Sequence, residues 1–275
     1  QRQMCIRDSN YKVADESTQA KAEILKQKVD KIEPIVSGLE LFKKTPMLVS
    51  PNGTKYRLIV DNSGNLSTVS SIPNKVAVFG NSILSHPWLK GMGMAASAPD
   101  KDYFSLVKSY ILSKNPSASV VRGNGADWES EPSKRKEVFD TKMKQSLSAD
   151  TDIVILQFGD NLNTDEKRKN LETDIPNLVS WIRSISPRVL IYWVGIYYAS
   201  PDFLELVKRI CVPLGVTFVD IYKYSKDAIY KSEMNKVLRL PDGSNYTITN
   251  PGVASHPGDL GHKAIADEII KNFLF

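Results

Sequence analysis

The chain is poor in cysteine. Cys5 and Cys211 are its only two in 275 residues. Two distant cysteines cannot build a disulfide framework, and neither sits at the spacing of a metal knuckle. Long apolar runs are missing as well, so no membrane-spanning helix is expected. Neither sign of charge dominates: 36 basic residues face 31 acidic ones, net +5, and the two are intermixed. That gives a nucleic-acid partner little support, while an anionic polysaccharide stays open. The segment "GNGADWE" lacks the spacing of a dinucleotide fingerprint, and no phosphate-loop pattern occurs. The strained G-x-S-x-G elbow of the α/β-hydrolases is absent too. Hydrophobic residues at 41% and charged residues at 24% fit a soluble globular protein rather than a disordered one.

Four regions follow from the pattern. Residues 1–9, "QRQMCIRDS", have no periodicity and lack the apolar centre of a signal peptide, so they read as a non-native scar. On that reading an export signal could have been lost, and an extracellular, cell-surface or virion location stays open. Residues 10–43 hold Ala22, Leu25, Val29, Ile32, Val36 and Leu39 at alternating spacings of three and four. This is a helical seam that Pro34 interrupts. It fits an amphipathic helix lying on the domain, or the end of a truncated coiled coil that makes a homo-oligomer. Residues 44–74 carry "KYRLIV" and "LSTVS" on either side of "DNSGN", which predicts a β hairpin.

Residues 75–275 alternate strand and helix. Five apolar runs read as strands: "KVAVFG", "SASVVRG", "DIVILQFG", "RVLIYWVG" and "VTFVDI". Between and after them, "KDYFSLVKSYILSKN", "SKRKEVFDTKMKQSL", "LETDIPNLVSWIRSIS", "PDFLELVKRICVPLG" and "GHKAIADEIIKNFL" have helical spacing. The expected fold is a three-layer α/β/α sandwich on a five-stranded parallel sheet, flavodoxin-like in type. Ligands in such folds bind beyond the carboxyl ends of the strands. Those ends carry Gly80-Asn81-Ser82, Gly123-Asn124-Gly125, Gly159-Asp160-Asn161 and Gly195, and His256 lies shortly before the last helix.

Taken singly, each of these residues has an ordinary structural explanation: a glycine ends a strand, and a serine caps a helix. Together a serine, glycines, an asparagine and a histidine at one sheet edge supply nucleophile, oxyanion donors and base for acyl transfer. The blocks "VFGNSI", "GDN" and "SHPGDLGHKAIAD" resemble those of the SGNH (GDSL-like) hydrolases, in the family's order, over residues 75–275. "GMGMAASAPDKDY" resembles a segment of a bacterial and phage-associated branch. The resemblance implies Ser82 as nucleophile and His256 as its base. It also implies an oxyanion hole from the Ser82 N–H, a glycine N–H at Gly123 or Gly125, and the Asn161 amide. Asn81 stands where the family usually has aspartate, and Val253 where it usually has the acid that orients the histidine. A backbone carbonyl could then orient His256 in a Ser–His dyad. Alternatively Asp127 or Glu129 substitutes, or the domain only binds.

Of the remaining candidates, His86 reads as a turn residue and His262 as a first-turn helix residue. His256, His262 and Asp259 lack a further ligand for a metal site. Trp88 and Trp128 suit a sugar platform at the substrate rim. No metal and no cofactor is expected. The expected activity is hydrolysis of short carboxylic esters, O-acetyl groups on carbohydrate or small esters. A weak or inactive glycan-binding module of a phage tail or cell surface is the alternative.

Overall fold

The structure is a computed structural model. It describes residues 47–60 and 64–275. The heptad-like seam and the residues read as a scar lie outside the described residues. The chain divides into two compact units, residues 1–52 with 56–69, and residues 53–55 with 70–275. In the first region β1 (Met47–Val49), β2 (Lys55–Val60) and β3 (Leu66–Ser70) form a sheet with β2 in the middle. The two expected hairpin strands therefore gain a third.

The larger unit is a parallel sheet of β4 (Lys75–Gly80), β5 (Ser119–Asn124), β6 (Ile153–Gln157), β7 (Leu190–Val194) and β8 (Thr217–Val219). Its spatial order is β5-β4-β6-β7-β8. Four longer helices cover it: α1 (Tyr103–Lys114), α2 (Leu171–Ile185), α3 (Pro201–Cys211) and α4 (Asp259–Lys271). Both sheet faces are buried, which is why the strands read as unbroken apolar runs. Along β6, Ile153 and Ile155 face a core with Val107 and Ile111 of α1 and Ile265 and Ile269 of α4. Val154 and Leu156 face the opposite core, with Ile175 and Ile182 of α2 and Phe203 and Val207 of α3. The α/β/α architecture expected from the sequence is thus present.

The strand order reverses at β4. The chain leaves it for β5 on one side and returns to β6 on the other. Loops leaving neighbouring strands in opposite directions open a crevice at their carboxyl ends. Ser82 follows β4 and Asn161 follows β6, so both belong to that crevice.

Two stretches differ from expectation. Residues 133–147, expected as one helix, are a broken series of short turns: Pro132–Lys134, Arg135–Val138, a wide π turn Phe139–Met143, and Lys144–Ser146. The irregular path buries Val138, Phe139 and Met143 together with Arg135. The Arg135 guanidinium donates to the carbonyls of Trp128, Lys167 and Lys169 and pairs with Asp174. The second is an unexpected hairpin of β9 (Val237–Arg239) and β10 (Asn245–Thr247). Leu238, Leu240 and Ile248 carry it into a small separate core with Leu89, Met92, Met94 and Val253.

His262 is fully buried in the larger unit. Its Nδ1 accepts the Tyr103 N–H at 3.2 Å, which leaves Nε2 to donate to the Met94 carbonyl at 3.0 Å. Burial holds its pKa below the ordinary histidine value. We expect His262→Ala to cost roughly 2–4 kcal/mol, since it opens a cavity and strands a buried N–H and C=O. Below about pH 6.5 the unfolded chain takes up a proton here that the folded chain refuses, so wild-type stability falls as the pH drops. Chemical denaturation at neutral and mildly acid pH checks both outcomes.

Candidate active site

The turn after β4 is fixed by Asn81, whose side chain is fully buried. Its Oδ1 accepts the Ile83 N–H at 3.1 Å, and its carbonyl accepts the N–H groups of Leu84 and Ser85 at 3.0 Å each. The Ser82 carbonyl accepts the Met94 N–H at 2.9 Å. The Ser82 backbone N–H has no hydrogen-bond partner among the described residues. With the backbone held, Ser82 Oγ lies 3.1 Å from His256 Nε2, across 174 positions of sequence.

His256 follows a short turn, Pro251–Ala254, capped by the Asn250 side chain. Its Nδ1 sits 2.8 Å from the Gly252 carbonyl oxygen. A carbonyl can only accept, so Nδ1 carries the proton and the lone pair of Nε2 faces the Ser82 hydroxyl. Burial pushes the pKa of His256 down to about 4; the Gly252 carbonyl opposes this, and the imidazoles of His262 and His86 add to it. The ring edge of Tyr198 meets it at 5.7 Å between centroids, and Tyr198 Oη donates to the Ser255 carbonyl at 2.9 Å. Tyr198 is a residue that the sequence reading left unassigned.

Val253 points into the small apolar core, away from any role in binding a proton. Neither carboxylate named as an alternative to the missing acid takes its place. Asp127 lies at the surface, 3.9 Å from Lys142 Nζ. Glu129 is fully buried but turned toward the turn after β6. It accepts the N–H of Gly159, the N–H of Asn161 at 3.3 Å, and Asn161 Nδ2 at 2.9 Å. It therefore braces the asparagine, not the histidine. Burial, with the nearby Asp160 charge, raises its pKa to about 7 against the pull of those hydrogen bonds.

Of the two glycines, Gly125 differs from expectation. The Gly125 N–H donates to the Gly80 carbonyl at 3.1 Å. Gly123 lies within β5, in register with Phe79, and a side chain there would strike the Phe79 ring at 2.6 Å. A methyl on Gly125 would strike Phe158 at 2.6 Å. Both positions demand glycine for close packing, and the Gly125 donor is already engaged. Asn161 Nδ2 gives one proton to Glu129 and keeps a second. Gly159, at φ +134°, turns the chain sharply after β6, and any side chain there would collide with Ile196.

Trp128 is not at the rim. It is fully buried, stacked on Phe158 at 5.4 Å and edge-on to Trp193 at 6.0 Å, with Arg135 over its ring. Trp88 does face solvent, 70% exposed, with its ring edge-on to His86 at 4.8 Å. His86 Nδ1 accepts the Trp88 N–H at 3.3 Å, so it caps that turn. Among the described residues, no cluster of three or more metal-binding side chains occurs, and no helix is long and apolar enough to cross a membrane.

The fold and site define a doubly wound α/β protein with a serine–histidine pair at its switch point. No family model and no curated protein matches the chain. Solved structures with a similar fold include an extracellular lipase from Streptomyces rimosus, 14% identical, TM-score 0.47, covering 72% of this chain and 99% of that one. A variant acetyl xylan esterase from Geobacillus stearothermophilus is 15% identical, TM-score 0.48, over 74% of this chain and 97% of that one. A two-domain esterase active on acetylated mannans is 18% identical, TM-score 0.47, over 72% of this chain and 48% of that one. The fold stands on its strand order.

Glu129→Ala should leave the buried Gly159 N–H and two partly buried donors of Asn161 without their acceptor. We expect a stability loss of at least about 2 kcal/mol, measured by denaturant titration.

Proposed function

We propose that the protein is a serine esterase of the SGNH type that hydrolyses short carboxylic esters through a Ser82–His256 dyad. The observation that carries this is the relay from Ser82 Oγ to His256 Nε2, with Nδ1 held by the Gly252 carbonyl. Ser82 Oγ attacks the ester carbonyl while Nε2 takes its proton. The Ser82 N–H and the Asn161 amide stabilise the developing oxyanion. The imidazolium then protonates the leaving alcohol, and water admitted to the same place frees the acyl group by the reverse sequence. In triads, replacing the acid by its amide is damaging chiefly because the imidazole adopts the wrong tautomer. A backbone carbonyl forces the right tautomer. It lacks only the charge that would stabilise the imidazolium, so the site is a weaker base than a triad but an assembled one.

O-acetyl groups on carbohydrate are the favoured substrate. Exposed Trp88 offers a flat apolar face of the kind that stacks on a sugar ring, and Tyr198 flanks the histidine. The rival reading, a glycan-binding module without turnover, draws on Val253 standing where an acid would be.

p-Nitrophenyl acetate hydrolysis separates them. Ser82→Ala and His256→Ala should each lower kcat by roughly a thousandfold or more. Equal rates in wild type and Ser82→Ala would favour the binder. Because His256 must be neutral to act and its pKa is depressed to about 4, kcat/KM should hold through neutral pH and fall only as the pH approaches that value. An acid limb centred near the ordinary histidine value would contradict the buried, carbonyl-held imidazole. Trp88→Ala should raise KM for acetylated oligosaccharide by about tenfold and leave p-nitrophenyl acetate kinetics unchanged. A parallel loss on both substrates would remove the sugar platform.

A further inference from the structure

We propose that Asp160 is the positioning residue that locks the nucleophile turn, the oxyanion turn and the wall beside the catalytic imidazole into one arrangement. The inference rests on the esterase reading and adds to it a residue that touches none of the reacting atoms. Three strand ends converge on this one carboxylate. From the turn after β4, Asn81 Nδ2 approaches Oδ2 at 3.4 Å. From the end of β6, Gln157 Nε2 donates to Oδ2 at 2.7 Å. From the loop after β7, the Tyr198 N–H donates to Oδ1 at 2.9 Å. Each donor is one short step from the chemistry. Asn81 precedes Ser82, Asp160 itself precedes Asn161, and Tyr198 packs on His256 while its hydroxyl holds the carbonyl of Ser255, the residue before it.

None of these donors has a free choice of orientation. The Asn81 amide cannot flip, because its Oδ1 already accepts the Ile83 N–H. Gln157 Oε1 is buried without a partner, so that amide is held through its Nε2 contact with Asp160. The Tyr198 donor is backbone. Among the described residues no lysine or arginine pairs with Asp160, and burial pushes its carboxyl up to about 6 against its hydrogen bonds. A turn that needed only shape would gain nothing from a partly buried carboxylate without a cation. Two acceptor oxygens with several lone pairs, able to gather three converging donors, are what a neutral side chain of this size lacks.

Asp160→Asn tests it. The near-isosteric amide keeps the volume but turns an N–H₂ toward a fixed donor, Asn81 or Tyr198. With p-nitrophenyl acetate we expect kcat per folded molecule to fall on the order of 10- to 100-fold, with KM within about threefold of wild type. Folded enzyme is counted by circular dichroism and thermal melting. Should Asp160→Asn fail to fold, Gln157→Leu carries the test. It removes the 2.7 Å donor to Oδ2 while the carboxylate stays, and kcat is expected to drop about three- to tenfold at unchanged melting temperature and KM. An active wild type whose folded variant keeps its full kcat overturns the positioning role and leaves the esterase intact. A wild type without Ser82-dependent turnover overturns the esterase reading, and this role with it.

Discussion

The site depends on the hydrogen bond between His256 Nδ1 and the Gly252 carbonyl. That one contact sets the tautomer, aims Nε2 at Ser82 and fixes the ring plane. Its geometry is inherited from packing. Gly252 and Val253 sit in a short capped turn, and Val253 is anchored in the small core shared with the β9–β10 hairpin and the loop after Ser82. Where a carboxylate would orient the histidine by charge, this chain orients it by burying the neighbouring residue. The two loops that carry Ser82 and His256 also share that core, so their spacing is set on both sides of the pair.

The opposite wall of the crevice is built from carboxylates. Glu129 gathers the Gly159 and Asn161 N–H groups and the Asn161 amide, and Asp160 gathers Asn81, Gln157 and Tyr198. Neither acid contacts the histidine through any hydrogen bond. The apolar core positions His256, and the two carboxylates hold the turn that carries Asn161.

Much of the scaffold was legible in the sequence because parallel strands buried on both faces leave unbroken apolar runs, as in "DIVILQFG". Strand ends could therefore be located, and with them Ser82, Asn161 and the segment before the last helix. Which of those residues meet was not legible. Gly252 acts through a carbonyl, and a backbone atom leaves no mark in the residue type. Glu129 and Trp128 lie next to a strand end, but the sequence does not say which way a side chain there turns, and both turn inward. Within residues 132–146 the helical spacing of Arg135, Val138, Phe139 and Met143 marked the buried face, but the π turn at Phe139–Met143 leaves no mark in the spacing. The β9–β10 hairpin did leave a signal, "LPDGSN" between alternating residues, that could have been read.

Trapping of Ser82 by a fluorophosphonate, followed by mass spectrometry of the labelled peptide, tests the central claim most directly. A serine with its proton shared to a neutral imidazole and an oxyanion hole beside it should take up one phosphonyl group per chain, on Ser82 alone, and should lose that reactivity in His256→Ala. Labelling that is absent, or scattered over other hydroxyls, or indifferent to His256, would mean that the pair is a structural contact and that the account of the site is wrong.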